Sequence, residues 1–237
     1  SDWSSDVCSS DLLTEISTGA FNGCSSLSSV SGGEKLTSIG YYAFRNCKSL
    51  SSFTIRSTVT TIDSYAFNNC TALKSIIIPE GTSNIGSGAF AGCTSLANIT
   101  INGANLPFGT DAFLNTAAYN NSSNWKDGNF VLSGILLTIE DKNIVNIPEG
   151  VKTIPNGVLS GLDAKTINLP SSLTACGDDS FSDLYSLEEI NVASGNTAFS
   201  TSNGALIRKS DSCLIIYPQQ KNAESVTIPS STNSAAL

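Results

Sequence analysis

The sequence predicts a repeat solenoid of the α/β type, built from 23-residue coils that each combine a short parallel strand with a short helical or 3₁₀ turn. Three observations predict it. Residue types recur every 23 positions, apolar residues alternate before a proline, and the next segment spaces its apolar residues as a helical turn would. Stretches that break the period carry hairpin signals, so we expect β-hairpin inserts between blocks of coils.

Four columns of residues keep the 23-residue period at the same time. They are the phenylalanines (Phe21, Phe44, Phe67, Phe90, Phe113), the cysteines (Cys24, Cys47, Cys70, Cys93, then Thr116), the leucines (Leu27, Leu50, Leu73, Leu96) and the isoleucines (Ile16, Ile39, Ile62, Ile85, then Phe108). Columns in register predict stacked coils, because a single coil buries too little apolar surface to offset the entropy of ordering its chain.

One coil shows the elements in order. In "LKSIIIP" Ile76 and Ile78 face one side and Ile77 the other, which predicts a short strand. Pro79 has no N–H to donate, so the strand stops there and the following Glu-Gly turns the chain. In "YAFNNC", residues 65–70, the apolar positions have the spacing of one short helical or 3₁₀ turn.

The period also predicts how the chain is organised. Coils occupy 13–115 and 147–192, an irregular insert with a hairpin lies at 116–146, a hairpin insert at 193–224, and a further coil starts at 225–237. Residues 1–12, "SDWSSDVCSSDL", resemble the in-frame translation of a sequencing adapter, which predicts that they are not native to the protein. We expect the remainder to be an interior piece of a longer protein.

Composition excludes several classes of function. The 237 residues contain no histidine, which excludes Ser-His-Asp and Cys-His catalysis and zinc sites with histidine ligands. A net charge of −8 disfavours nucleic acid as a partner, and no apolar run approaches the roughly 20 residues of a membrane span. A pair of catalytic carboxylates remains open on composition alone. We expect no cofactor and no metal.

The cysteine column could carry chemistry or fill the core. It has no CxxC pair, and in-register side chains point the same way, which disfavours a zinc site or a disulfide. In later coils Leu162 and Leu184 align with the cysteines, and Cys176 aligns with an isoleucine. The sequence therefore predicts buried thiols that act as small apolar side chains, with a redox or cross-linking role as the alternative.

The outward positions of the strands form the candidate binding surface. They are Ser52, Thr54, Arg56, Ser75, Ile77, Asn98 and Thr100, and Asn168 and Asn191 continue the pattern in later coils. Small polar groups with one exposed isoleucine suit an extended protein or glycan partner. The alternative is that these are strand residues that only contact solvent.

Residues 62–86, "IDSYAFNNCTALKSIIIPEGTSNIG", resemble the BspA-like class of leucine-rich repeats, with the pattern I-x-x-x-A-F-x-x-C-x-x-L-x-x-I-x-I-P. "NGALIRKSDSCLIIYP" is similar to the hairpin insert of those proteins. The resemblance covers nearly all of residues 13–237 and departs at 116–146 and at 31–34.

The resemblance implies a leucine-rich-repeat solenoid and a non-enzymatic module for adhesion or recognition. It implies a secreted or cell-surface bacterial protein, monomeric, with a protein or glycan partner on a host or neighbouring cell. Two alternatives stay open. The repeats could be a structural spacer, or an accessory region of a larger surface enzyme such as a glycosidase.

Overall fold

The computed structural model of this chain describes residues 12–103, 106–109, 111–221 and 234–235. The chain forms two compact units, Ser1–Ser122 and Ser123–Leu237. The adapter-like segment lies outside the described residues except for its last residue. The predicted coil start at 225–237 also lies outside them, apart from its short strand.

Short strands account for the regular structure of both units. In the first unit they are β1 (Glu15–Ile16), β2 (Ser38–Ile39), β3 (Thr61–Ile62), β4 (Ser75–Ile78), β5 (Asn84–Ile85) and β6 (Asn98–Ile101). In the second unit they are β7 (Trp125–Lys126), β8 (Asn129–Leu132), β9 (Ile135–Thr138), β10 (Ile144–Asn146), β11 (Thr153–Ile154), β12 (Thr166–Leu169), β13 (Ala175–Cys176), β14 (Glu189–Val192), β15 (Phe199–Ser202), β16 (Ala205–Arg208), β17 (Cys213–Ile216) and β18 (Ser234–Ala235). A 3₁₀ turn covers Ser122–Asn124.

The isoleucine column of the first unit is a parallel ladder. Strands β1, β2, β3 and β5 lie side by side in that order. Ile16 pairs with Ile39, Ile39 with Ile62, and Ile62 with Ile85, which bridges to Phe108. Each step of the ladder is 23 residues, so the predicted coil length and register are confirmed.

A second parallel pair of the first unit joins β4 to β6. Ile76 lies opposite Ile99, and both are buried, whereas Ile77 lies opposite Thr100 on the exposed side. The strand β4 ends at Ile78, immediately before the proline, as the sequence predicts. The alternation of buried and exposed positions therefore follows the period of two that the sequence shows.

The expectation of a helical turn at residues 65–70 is not supported, and no α-helix occurs in the described ranges. Tyr65 and Asn69 have φ of 58° and 60°, and left-handed residues four positions apart prevent a right-handed helix. The amides of Ala66, Asn68 and Cys70 each donate to a carbonyl three residues back, whereas those of Tyr65, Phe67 and Asn69 donate to the next coil. The segment is therefore a series of turns whose alternate amides bond to the next coil. The fold is a β-solenoid and not the predicted α/β repeat.

The phenylalanine column forms a stack of rings through the core of the first unit. The ring centroids of Phe44 and Phe67 are 5.1 Å apart, those of Phe67 and Phe90 5.2 Å, and those of Phe90 and Phe113 5.5 Å. The rings are nearly parallel, with interplanar angles of 13°, 3° and 4°. Phe44, Phe67 and Phe90 are fully buried, so these rings of the column belong to the core.

The second unit combines coils with hairpins. Strands β10, β12 and β14 form a parallel sheet, and β11 pairs in parallel with β13. Strand β8 pairs antiparallel with β9 around Ser133 and Gly134, and β16 pairs antiparallel with β17. These two hairpins occur where the sequence predicts turns between apolar strands. Strand β7 also pairs antiparallel with β8, and β15 with β16, so each hairpin is part of a three-stranded antiparallel arrangement. A continuous cluster of buried apolar side chains, from Leu136 to Ile215, fills this unit.

Candidate interaction surface

Four of the predicted binding residues lie together on strands β4 and β6. Ser75 pairs with Asn98 and Ile77 with Thr100, and all four are exposed. The side chain of Ile77 is 58% exposed, which makes it an apolar group surrounded by small polar ones. We name this patch the strand face.

The other three predicted residues lie on the preceding coil, where 51–56 forms no strand. Ser52 and Thr54 are exposed, but Arg56 is half-buried, and its Nη2 lies 2.6 Å from Glu34 Oε1. In the coil before residues 51–56, Gly32 and Gly33 have φ of 94° and 71°. This backbone is not that of a strand, so residues 51–56 have no strand there to pair with. Arg56 therefore lies outside a regular strand, as Ser52 and Thr54 do, and its guanidinium is paired with a surface carboxylate.

Asparagines form a ladder across the parallel sheet of the second unit. Asn168 Nδ2 donates to Asn146 Oδ1 at 2.7 Å, and Asn191 Nδ2 donates to Asn168 Oδ1 at 3.0 Å. The sequence pattern placed Asn168 and Asn191 on the outward side of their strands but did not include Asn146. These contacts use part of each amide's hydrogen-bonding capacity within the protein, which leaves less for a ligand.

The cysteine column is buried as predicted. Cys47, Cys70 and Cys93 have no exposed surface, whereas Cys24 in the first described coil is exposed. All six described cysteines are free. Leu184 is also buried in the equivalent position, so the position accepts either a thiol or a larger apolar side chain.

The buried thiols of the cysteine column also donate to backbone carbonyls. The Sγ atoms of Cys47 and Cys70 donate to the carbonyl oxygens of Phe21 and Phe44, at 3.1 Å in both cases. Each carbonyl already accepts the N–H of the cysteine three residues later in its own coil. Burial raises the pKa of the Cys47 thiol to about 12, because the thiolate would lose its hydration. A neutral thiol is therefore the favoured state in the core.

An aromatic cluster on the turn side of the first unit was missed by the sequence pattern. Tyr41 and Tyr42 have ring centroids 3.8 Å apart, and Tyr65 lies 6.0 Å and 5.5 Å from them. The Tyr41 hydroxyl donates to the Tyr42 hydroxyl at 2.8 Å, and this bond raises the pKa of Tyr41. The Arg45 guanidinium lies 4.7 Å from the Tyr42 ring centre. Tyr42 and Tyr65 stand one coil apart, a signal that the columns could have shown.

Two of these tyrosines have an unusual backbone. Tyr42 and Tyr65 both have φ of 58°, a left-handed conformation that costs a bulky residue about 1–3 kcal/mol. Gly19 and Gly88 hold the same position in neighbouring coils with φ of 67° and 60°. The tyrosines therefore occupy a position where glycine would be less strained.

The described part of the chain bears on two other kinds of feature, a metal site and a membrane-spanning helix. Within it, no group of three or more His, Cys, Asp or Glu side chains is placed to hold a metal ion. No helix there is long and apolar enough to cross a membrane.

Comparison with known families decides what the columns represent. Residues 5–120 and 139–233 match the BspA type leucine rich repeat region, in six copies, and together these ranges make up most of the chain. The chain belongs to the BspA-type leucine-rich repeat family. No curated protein sequence matches this BspA-type chain.

Several solved structures are similar to the BspA-type chain. A leucine rich cell surface protein from Faecalibacterium prausnitzii is 25% identical, with 93% of this chain and 47% of that one covered and a TM-score of 0.36. A leucine-rich repeat protein from Eubacterium ventriosum is 22% identical, with 96% and 44% covered and a TM-score of 0.39. The pneumococcal vaccine antigen PcpA is 22% identical, with 85% and 47% covered and a TM-score of 0.30. The chain spans about half the length of these proteins.

Proposed function

We propose that this BspA-type chain is a non-enzymatic recognition module of a secreted or cell-surface bacterial protein, and that its strand face binds a protein on a host or neighbouring cell. The observation that carries the proposal is Ile77, which is 58% exposed on a regular parallel sheet. Binding surfaces of proteins combine an apolar centre with a polar rim, and Ile77 has Ser75, Asn98 and Thr100 around it.

The geometry of the strand face also favours an extended partner over a small substrate. Parallel strands repeat side chains at about 4.8 Å, so a flat row of small groups can contact a long stretch of another protein. Ser52 and Thr54 belong to this proposed surface as its exposed margin. Arg56 contributes least, because its guanidinium is paired with Glu34.

The test replaces the apolar centre with a charge. Ile77→Asp is compared with Ile144→Asp, because Ile144 is 56% exposed on strand β10 of the second unit and serves as a matched control. Binding of the immobilised chain to intact cells is measured before and after the cells are treated with protease. We expect Ile77→Asp and the protease each to abolish binding, and Ile144→Asp to leave it unchanged.

Other outcomes would favour the two alternatives. Unchanged cell binding by a folded Ile77→Asp variant would remove the strand face from consideration. The absence of any cell binding by the parent chain would favour a structural spacer. A catalytic domain elsewhere in the complete reading frame would favour an accessory region of a surface enzyme such as a glycosidase.

A further inference from the structure

We propose that the turn side of the first unit binds a neutral saccharide, in a groove separate from the strand face. The groove crosses three coils, has a volume of about 500 Å³, and is defined by six of its lining residues, Tyr65, Asn69, Gly88, Gly92, Asp111 and Asn115. We name it the turn groove. Its volume falls within the range of small-molecule sites.

The turn groove exists because one coil lacks side chains that its neighbours carry. Gly88 stands in the column of Tyr65 and Asp111, and Gly92 stands in the column of Asn69 and Asn115. Adjacent coils are about 4.8 Å apart, so the backbones on either side of this coil of small residues are about 10 Å apart. The side chains of Tyr65 and Asn69 extend over the two glycines and cover part of the floor of the groove.

Tyr65 provides a fixed aromatic surface at one wall. A Cβ atom on Gly88 would lie 2.5 Å from Tyr65 Cε1, so the ring lies directly against the glycine. The rings of Tyr41 and Tyr42 contact it from the other side of its coil. Tyr65 nevertheless remains 37% exposed. Because the ring is held by packing, a ligand that stacks on it loses little entropy in ordering it.

Carboxamides and one carboxylate supply the polar contacts. Asn69 Nδ2 lies 3.4 Å from Asn46 Oδ1 and 3.2 Å from Asn68 Oδ1, and donates to both. These bonds leave Asn69 Oδ1 over Gly92 at the floor of the turn groove. Asp111 and Asn115 lie on the opposite wall. Asn69 Oδ1 and the Asp111 carboxylate are acceptors, and the Asn115 carboxamide is able both to donate and to accept.

This combination favours a saccharide over other ligand classes. The C–H face of a pyranose ring packs on an aromatic ring, while its hydroxyls both donate and accept and so pair with carboxamides and carboxylates. Asp111 is the one charged residue among the described lining residues, and no cation accompanies it. Phosphate, sulfate and sialic acid would therefore meet a negative charge, whereas a neutral sugar would not.

The backbone of Tyr65 provides a mild variant. Its φ of 58° recurs at Tyr42 and Asp111 in the same column, where Gly88 has φ of 60°, so glycine fits this position. Tyr65→Gly removes the ring and relieves the backbone, so we expect the fold to survive.

The experiment titrates the chain with neutral hexasaccharides, namely maltohexaose, cellohexaose and xylohexaose, and with sialyllactose and a heparin hexasaccharide. We expect one or more neutral sugars to bind with a millimolar or lower dissociation constant and the acidic ones to bind more weakly. Tyr65→Gly should weaken binding about tenfold or more. Asp111→Asn, which keeps the side-chain shape, should weaken it about fivefold.

Two controls test whether sugar binding depends on the turn groove alone. Tyr185→Ala removes a tyrosine that is 62% exposed in the second unit and should leave sugar binding unchanged, as should Ile77→Asp. Circular dichroism and urea unfolding establish that Tyr65→Gly is folded. Absence of binding to every neutral sugar, or binding unaffected by Tyr65→Gly, would overturn the proposal. Loss of the protease-sensitive cell binding in Tyr65→Gly would instead assign the groove to the protein partner.

Discussion

Thiol labelling offers a direct measurement of how well the coils enclose the cysteine column. Cys47 has no exposed surface and a pKa raised to about 12, whereas the side chain of Cys24 is exposed. At pH 8 a thiol of pKa about 12 is a thiolate in about one molecule in 10⁴, against about one in four for an unperturbed thiol of pKa about 8.5. Since the thiolate is the nucleophile, Cys47 should react about 2,000 times more slowly than in the denatured chain.

The assay is alkylation by iodoacetamide at pH 8, followed at each cysteine by mass spectrometry of peptides. The same chain in guanidinium chloride gives the reference rate. We expect Cys24 to react at close to that rate in the folded chain, and Cys47, Cys70 and Cys93 to be strongly protected. Raising the pH from 8 to 9.5 should accelerate Cys47 about thirtyfold, because it stays far below its pKa, but the denatured chain only about fourfold.

One result would refute the reasoning. If Cys47 in the folded chain reacted within about tenfold of its denatured rate, the pKa near 12 and the sealed core would both be wrong.

Three further predictions concern stability, each measured by urea unfolding. The stability that Cys47 contributes is complete below the unfolded pKa of about 8.5 and is lost as the pH rises toward its folded pKa of about 12. Between pH 8 and pH 10 the parent chain should therefore lose about 2 kcal/mol of unfolding free energy relative to Cys47→Ala. A difference in unfolding free energy that stays the same over this pH range would contradict the prediction. Phe67→Ala should lower the unfolding free energy by about 3–5 kcal/mol, because it leaves a cavity in the ring stack. Phe67→Leu should lower it by about 1 kcal/mol, because Leu159 fills the equivalent position of the second unit, and equal losses for the two variants would argue against a stacked core. Gly86→Ala should cost about 1–3 kcal/mol, because its Cβ would lie 2.3 Å from Ser64 N, and a neutral result would mean that the coils can move apart.

The arrangement of the coils follows from the sequence to a large extent. The 23-residue columns give the parallel register of Ile16, Ile39, Ile62 and Ile85, because one ladder step must join equivalent residues of successive coils. The alternation around Ile77 gives the exposed side of strand β4 correctly. These features depend on period and polarity alone, and both are properties of the linear chain.

The turns depend on contacts that the linear chain does not reveal. The spacing in residues 65–70 is compatible with a helix, but alternate amides there bond to the next coil, which exists only in the stack. Arg56 likewise follows the outward alternation of Ser52 and Thr54, yet residues 51–56 form no strand and its guanidinium pairs with Glu34 of the preceding coil. In both places a neighbouring coil overrides the local pattern.

The sequence by itself determined the coil length, the inward columns and the burial of the thiols of Cys47, Cys70 and Cys93, since each follows from which residues recur at which interval. Only the tertiary structure decided the signs of φ at Tyr42 and Tyr65, the tyrosine cluster and the groove over Gly88 and Gly92. The physical reason is that these depend on how a side chain from one coil lies across the backbone of the next, a relation between residues 23 positions apart that composition and period leave undetermined.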